Sequence, residues 1–227
     1  MDLKSAQLAT VLRTEDTRQR LLDAAGEVFA EHGFRSATIQ EICRRANANI
    51  AGVNYHFGDK ERLYAAVFEY AERCALPDFP LASASESSLT AEERLRNHIR
   101  GFLLRILDDG RSSWFGKLIA REMTEPTPLL DKLVREKFAP VHEHLAGIVK
   151  ELLGPTATPE TVRLCTLSIR GQCLFYRNCR PAIERLFPDL RLDRPAIDRL
   201  ADEISEFSLA AIRGLARKRR KTKPRCS

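Results

Sequence analysis

The side chains best suited to recognising another molecule lie close together in the sequence. Asn54, Tyr55 and His56 carry an amide, a phenol and an imidazole, and Lys60 adds a positive charge just beyond them. An amide pairs with the edge of adenine, a phenol or imidazole reaches bases or phosphates, and a lysine suits a backbone phosphate. These residue types at this spacing indicate hydrogen bonding to double-stranded DNA.

Two short helices are predicted to position these side chains. Thr38 to Glu41 has the form of a capping box, in which the threonine oxygen accepts the glutamate amide proton and the carboxylate reaches back to the threonine amide. The first helix ends at Asn47–Asn49, where asparagine tolerates turn geometry. The second carries Ile50, Val53 and Phe57 on its inner face. This order of helix, turn and helix is that of a helix-turn-helix.

The outer face of the second helix is the predicted DNA-reading surface. Small residues at its start let a helix enter the major groove, and the polar residues after them are available to bases. The predicted DNA-binding residues are Thr38, Gln40, Ala51, Gly52, Asn54, Tyr55, His56 and Lys60. A plain three-helix bundle whose polar face is only solvated fits the pattern equally well, so the pattern alone leaves both interpretations open.

The rest of the chain is predicted to be helical as well. Thr17 to His32 has one apolar stripe and stops at Gly33, and Asp59 is placed to cap the helix after the helix-turn-helix. Further helices are predicted from about Pro128 to Leu153, with a kink at Pro140, from Pro159 to Asn178, and from Pro195 to about Arg217. No stretch alternates with period two, so the predicted fold class is all-α.

Composition and charge narrow the class of protein. Hydrophobic residues make up 44% and charged residues 30%, and no apolar run approaches the roughly 18 residues of a membrane span. No secretory signal is visible, so we expect a cytoplasmic protein without membrane contact. Eight basic residues between Arg213 and Arg225 account for the net charge of +6, since the remainder has 29 basic against 31 acidic residues. A disordered basic tail is predicted there, with a DNA-contacting arm as the alternative.

Motifs of other functional classes are missing from the sequence. There is no glycine-rich phosphate loop, no G-x-S-x-G turn and no pair of histidines at zinc spacing, so we predict neither an enzyme nor a cofactor or metal site. Six cysteines lie scattered without C-x-x-C pairs and are best explained as buried free thiols. A redox-sensing regulator built on Cys165, Cys173 and Cys179 is the alternative. A DNA binder that senses no ligand would leave the long C-terminal part unexplained.

The C-terminal helices predict a homodimer and an effector pocket. Pro159–Asn178 has two apolar stripes, so one face can pack within the subunit and the other, with Pro195–Ala216, against a second copy. Aromatic side chains with a few polar groups are typical of small-molecule sites between helices. The predicted effector-pocket residues are His98, Phe102, Trp114, Phe115, Met123, Phe138, His142, Gln172 and Tyr176. Arg121 and Glu122 are expected to be solvated.

The N-terminal motifs also resemble those of a known family. The segments Ala30-Glu31-His32-Gly33-Phe34, Thr38-Ile39-Gln40-Glu41-Ile42 and Asn54-Tyr55-His56-Phe57-Gly58-Asp59-Lys60-Glu61-Arg62-Leu63 resemble the DNA-binding domain of the tetracycline-repressor (TetR) family. The resemblance implies that Lys60 anchors a phosphate, His56 contacts the DNA backbone and Phe57 is a core residue. Many members have tyrosine where Asn54 stands, so whether Asn54 or Tyr55 reads bases stays open.

The C-terminal part is similar to a CerR/CecR-like C-terminal domain. The similar segments are Arg121–Thr127, Gly171–Tyr176 and Phe207–Ala210. This resemblance implies a helical domain for effector binding and dimerisation, in a group of regulators tied to tolerance of foreign compounds. We therefore predict a DNA-binding domain at 14–62, an effector-binding and dimerisation domain at 63–216, and the basic tail at 217–227. The expected function is a repressor released from a palindromic operator by a small molecule.

Overall fold

The computed structural model describes residues 3–75, 88–107 and 113–222, and within these ranges it contains helices and no strand. The helices are α1 Leu3–Ser36, α2 Ile39–Ala46, α3 Ile50–His56, α4 Lys60–Ala75, α5 Ala91–Leu107, α6 Ser113–Thr124, α7 Leu129–Leu133, α8 Ala139–Leu153, α9 Pro159–Asn178, α10 Arg180–Leu186 and α11 Arg194–Thr222. The all-α prediction is confirmed. No helix in the described ranges is long and apolar enough to cross a membrane.

The chain divides into two compact units. The first unit contains residues 1–77 and 109–131, and the second contains residues 78–108 and 132–227. The unit that holds the predicted helix-turn-helix is thus larger than the segment 14–62, because α4 and α6 belong to it as well.

In the first unit, α1 packs against α2, α4 and α6. Its buried face contains the stripe predicted from the sequence, including Leu21, Leu22, Ala25, Val28 and Phe29. The regular helix breaks at Gly33, whose φ of +76° is a conformation that side chains with a Cβ atom rarely adopt. The predicted stop at Gly33 is therefore confirmed, although the residues that follow resume helical geometry as far as Ser36.

Helix α6 contacts α1 through one aromatic and one cationic side chain. Trp114 covers Gly26 so closely that a Cβ atom at Gly26 would lie 2.7 Å from the indole Cε2 and Cζ2 atoms. Arg121 donates from Nε to the Ala30 carbonyl at 2.9 Å and from Nη2 to the Glu31 carbonyl. These carbonyls lie just before the break in α1, where helical partners run out. Arg121 therefore closes the end of a helix instead of being solvated.

The expectation that Glu122 is solvated is also wrong. Its side chain is only 1% exposed and accepts a hydrogen bond from the Tyr64 hydroxyl at 2.8 Å. The backbone N–H and the hydroxyl of Thr127 donate to the same carboxylate, at 3.2 and 3.0 Å. A charged residue is buried here because neighbouring donors replace the water that it loses.

In the second unit, α5 packs against α8, α9 and α11 around an apolar core. Fully or nearly fully buried side chains come from all four helices, including Leu95, Ile99, Leu103, Leu145, Ile148, Ile169, Ile204 and Ile212. Three arginines of α5 pair with carboxylates at the rim of this core. The pairs are Arg94–Glu151 at 2.6 Å, Arg96–Asp202 at 3.0 Å and Arg100–Asp198 at 2.6 Å.

The helix predicted from Pro128 to Leu153, with a kink at Pro140, has an irregular segment just before that proline. Residues Val134–Phe138 form a π-helical turn between α7 and α8, and the Ala139 N–H donates to the Val134 carbonyl. Proline lacks an N–H, and its ring crowds the carbonyl four residues earlier. The wider π turn accommodates Pro140 in the first turn of α8.

The prediction of a disordered tail is wrong for its first residues. Helix α11 continues to Thr222, so residues 217–222 are helical. Lysine and arginine are good helix formers, and their positive charges interact favourably with the negative end of a helix dipole. Residues 223–227 of the predicted tail lie outside the described ranges.

Candidate DNA-binding interface

The first short helix, α2, begins at the predicted cap. Thr38 has an extended backbone, and its hydroxyl oxygen accepts the Glu41 N–H at 3.2 Å. The Glu41 carboxylate does not complete the capping box, because it accepts hydrogen bonds from Arg44 at 2.7 and 2.8 Å and from Arg45 at 2.8 Å. These two guanidinium groups lower the pKa of Glu41 to about 2. Charge-assisted bonds to arginine have displaced the weaker bond to a backbone amide.

The turn between the two short helices has the predicted asparagine geometry. Asn47 adopts a left-handed conformation with φ of 47°, which ends α2. Asn49 caps α3, since its side-chain oxygen accepts the Gly52 N–H at 2.8 Å. The helix-turn-helix geometry expected from the sequence is therefore present.

The inner face of α3 is smaller than predicted. Val53 and Phe57 are 1% and 7% exposed, as a core-facing stripe requires. Ile50, which was expected to continue this stripe, is 47% exposed. Ile50 is the first residue of α3, so its side chain lies at the open end of the helix. The inner contact of α3 therefore depends on Val53 and Phe57.

The outer face of α3 consists of the side chains expected there. Ala51, Asn54 and Tyr55 are exposed, and Gly52 and His56 are half-buried. Tyr55 is 78% exposed, and its ring lies 5.0 Å from the imidazole of His56 in an edge-to-face arrangement. Thr38 and Gln40 at the start of α2 are exposed as well. Partial burial, with Arg18 nearby, lowers the pKa of His56.

Lys60 is held in place at the first position of α4. Its ammonium lies 4.8 Å from the centre of the Phe34 ring and donates to the Arg35 carbonyl at 3.4 Å. Asp59 caps the same helix, because its carboxylate accepts the Arg62 N–H at 2.7 Å. A lysine positioned beside the amides of a helix N-terminus suits a phosphate group.

The predicted effector residues are divided between the two units. Trp114 and Met123 belong to the first unit, where Trp114 covers Gly26 and Met123 is 53% exposed. The side chain of Phe115 lies outside what the structure describes. In the second unit, Phe138 and His142 are half-buried. Gln172 and Tyr176 line an open groove of about 480 Å³ between α9 and α11.

His98 and Phe102 have half-buried partners that sequence reasoning missed. His98 is 2% exposed and stacks on His144, with ring centres 5.3 Å apart. Phe102 lies under the guanidinium of Arg170, whose Cζ is 4.9 Å from the ring centre. The sequence did contain one indication that Arg170 lies near the core. It stands between Ile169 and Cys173, two residues of the inward-facing apolar stripe of α9.

The thiols give little support to the redox alternative. Cys43 and Cys173 are buried, and burial raises the pKa of both, that of Cys173 to about 12. Thiols react with oxidants as thiolates, so a raised pKa makes them unreactive at neutral pH. Cys165 and Cys179 are half-buried, and neither forms a disulfide among the described residues.

Two family descriptions match the chain. The sequence model described as bacterial regulatory proteins, tetR family, matches residues 21–67. The one described as the C-terminal domain of the HTH-type transcriptional dual regulator CecR matches residues 91–212, more than half of the chain.

Similar individual proteins are regulators as well. CecR of Shigella flexneri is 29% identical over 177 residues, which cover 74% of this chain and 79% of CecR. The regulator SrpR of Pseudomonas putida is 41% identical over 58 residues, but these are only 26% of this chain and 27% of SrpR. Among solved structures, the hemolysin II transcriptional regulator HlyIIR has a TM-score of 0.54 at 22% identity, covering 85% of this chain and 98% of HlyIIR. A TetR-like regulator from Rhodococcus sp. RHA1 has a TM-score of 0.53 at 20% identity, covering 91% and 97%.

Proposed function

Since this chain belongs to the TetR family of transcriptional regulators and has a CecR-type C-terminal domain, we propose that it is a repressor released from a palindromic operator by a small molecule. DNA binding and regulation are properties of the family, whose members bind operator DNA and act as dimers. The observation that supports the proposal most is the exposure of polar side chains on the outer face of α3. Asn54 is exposed and Tyr55 is 78% exposed, so neither side chain is part of the hydrophobic core.

The proposed contacts fall into two classes. Asn54 and Tyr55 are the proposed base readers, because an exposed amide and phenol project from the helix that enters the major groove. Lys60 is proposed to bind a phosphate, with Thr38, Gln40 and His56 as further contacts at the edge of the interface. Ala51 and Gly52 let the start of α3 approach the DNA closely.

Selection of bound duplexes from a random pool tests this assignment and supplies the operator. Replacing Asn54 and Tyr55 together by alanine should weaken binding to the selected operator by roughly 1–3 kcal/mol per lost base contact and change the preferred sequence. Lys60→Ala should weaken binding to all sequences alike and lower the salt slope by about one. Lys117→Ala removes the same charge from an exposed position of α6 and serves as the control. Unchanged operator affinity of the Asn54, Tyr55 double variant would show that other residues read the DNA.

The proposed dimer interface is the outward face of α9 and α11. Large apolar side chains remain uncovered on these two helices, namely Leu164, Leu167, Leu174, Phe175, Phe207 and Leu215. Ser168 and Gly171 between them are small and exposed, which permits close approach of a partner helix. The opposite stripe of α9, with Ile169 and Cys173, is buried within the subunit. Two such helices from each copy would form a four-helix bundle, and its two-fold axis explains a palindromic operator.

Sedimentation at micromolar concentration tests the dimer. The wild type should sediment as a dimer, and Phe175→Arg with Phe207→Arg should give a monomer, because four charges would be buried without partners. Phe187→Arg is a matched control, since Phe187 is 59% exposed outside these two helices. A monomeric wild type would contradict the proposed interface and the palindromic operator together.

A further inference from the structure

The second unit contains buried side-chain nitrogen atoms that have no hydrogen-bond partner among the described residues. Both ring nitrogens of His98 are buried without a hydrogen-bond partner among the described residues, and so are Nε and Nη2 of Arg170. His98 lies on α5 and Arg170 on α9, two helices that pack directly against each other. Buried polar groups are normally satisfied by the protein itself, so each of these four atoms needs an explanation.

Arg170 is half-buried, and its charge is not balanced by a carboxylate. An arginine keeps its proton under all ordinary conditions, and taking its charge partly out of water without a partner is destabilising. Three other arginines of the unit, Arg94, Arg96 and Arg100, each have a carboxylate within 3.0 Å. Arg170 has no carboxylate partner among the described residues.

The electrostatic environment of His98 has the same sign. Burial, together with the charges of Arg170, His144 and Arg105, lowers the pKa of His98 to about 3. Each of these three neighbours is basic. The surroundings of His98 therefore favour a negative charge close to Arg170.

The two unsatisfied atoms of Arg170 define the shape of the missing partner. Nε–H and Nη2–H point in the same direction along one edge of the planar guanidinium and match the two oxygens of a carboxylate. The ligand also needs an apolar surface to pack against. Phe102, which lies under the guanidinium, and the core residue Ile169 provide apolar side chains next to Arg170.

We propose that Arg170 and His98 bind the carboxylate of an organic anion with an apolar body, and that this anion is the effector. The proposal rests on the proposed function for its regulatory meaning, but binding of the anion can be measured without DNA. Arg170 forms the bidentate pair, and one nitrogen of His98 donates a further hydrogen bond. The effector pocket expected from the sequence is thereby reduced to a site in the second unit that binds an anionic ligand.

Matched pairs of acid and amide test the charge requirement. Benzoate and octanoate should raise the melting temperature of the full-length protein, by roughly 5–10 °C at a hundred times Kd. Benzamide and octanamide, which have the same apolar bodies without the charge, should leave it unchanged. Inorganic phosphate should give a smaller shift than either acid, because it lacks the apolar body. Failure of both acids to shift the melting temperature overturns the proposal, and so does an equal shift by the amides.

Variants at Arg170 separate a binding role from a structural one. Arg170→Met should abolish the shift caused by the acids and raise the melting temperature of the unliganded protein, because an uncompensated charge is removed. Arg170→Lys keeps the charge but lacks the paired N–H groups of the guanidinium, so it should weaken binding of the acids at least about tenfold. Arg100→Met is the control, and it should keep the full shift. A lower melting temperature of Arg170→Met, or a retained shift, overturns the proposal.

Operator release distinguishes failure of this proposal from failure of the proposed function. If a neutral compound releases the selected operator while neither acid binds, the regulator function stands and the anionic site is wrong. If the acids bind through Arg170 but no operator can be selected, the site stands and the proposed function is wrong.

Discussion

The two units each bury a polar cluster, and the two clusters differ in completeness. In the first unit, Glu122 is buried but receives hydrogen bonds from Tyr64 and from both donors of Thr127. In the second unit, His98 is buried and Arg170 is half-buried, and two nitrogen atoms of each side chain have no hydrogen-bond partner among the described residues. A complete cluster stabilises the fold by itself, whereas an incomplete cluster of one charge sign weakens it until a ligand completes it. The comparison therefore separates a structural polar core from a candidate binding site.

Removing the acceptor of the complete cluster should have the largest effect. Glu122→Ala leaves the buried Tyr64 hydroxyl and both Thr127 donors without their partner, and should lower the free energy of unfolding by roughly 3 kcal/mol. Trp114, the single tryptophan, lies in the first unit, so its fluorescence during urea unfolding reports on this region. The matched control is Glu125→Ala, an exposed carboxylate just after the end of α6, which should change stability by less than about 0.5 kcal/mol. Equal changes in the free energy of unfolding for the two variants would show that the buried hydrogen bonds of Glu122 do not stabilise the fold.

The helical framework was predictable because local signals agree with the tertiary packing. Gly33, Asn47, Asn49 and Asp59 mark helix boundaries by backbone conformation or capping, and such effects act within a few residues. The apolar stripes likewise identified the inner faces of α1 and α9. Sequence reasoning went wrong where a side chain bonds to a distant segment.

Glu122 and Arg170 are the clearest examples of such long-range effects. One partner of Glu122, Tyr64, is 58 residues away in sequence, and nothing near Glu122 indicates that Tyr64 will donate to it. Nothing near Arg170 in the sequence indicates that its guanidinium will lie over the ring of Phe102. Residues 217–222 were predicted as part of a disordered tail because a dense run of basic residues is often solvated.

The incomplete cluster should make the second unit sensitive to moderate acid. The folded-state pKa of His98 is about 3, below the value of about 6.5 expected when unfolded, because of burial and the charges of Arg170, His144 and Arg105. Between these pKa values only the unfolded chain binds the proton, so stability falls as the pH drops below about 6.5 and is unaffected above it. Lowering the pH from 7 to 5 should cost about 2 kcal/mol from this group.

His98→Phe tests this dependence, since it keeps an aromatic ring and removes the titrating group. Urea unfolding at pH 5 and pH 7, followed by circular dichroism in a cationic buffer, should show a smaller loss of stability for the variant than for the wild type. The carboxylates elsewhere in the chain titrate equally in both proteins and cancel in the difference. An identical pH dependence in the two proteins would mean that His98 is solvated or paired.

A glycine substitution should show how tightly the first unit is packed. Gly26→Ala places a Cβ atom 2.7 Å from the Trp114 ring, and the indole must move to accommodate it. The cost of overpacking exceeds the gain in helix propensity, so we expect a net loss of about 1–2 kcal/mol. The emission maximum of Trp114 should shift at the same time, because its contact with α1 is altered. Increased stability with unchanged emission would contradict this packing.

The same substitution in the second unit should have the opposite sign and the smallest effect. Gly147 lies within α8 on its exposed side, and a Cβ atom there would meet nothing within 4 Å. Alanine restricts the unfolded chain and adds no clash, so Gly147→Ala should stabilise the protein by about 0.5–1 kcal/mol, a rise of roughly 1–4 °C in melting temperature. Thermal unfolding of Gly26→Ala and Gly147→Ala side by side isolates the packing difference, because both variants gain the same helix propensity. If Gly147→Ala lowers the melting temperature, that face of α8 is covered by another part of the assembly rather than by solvent.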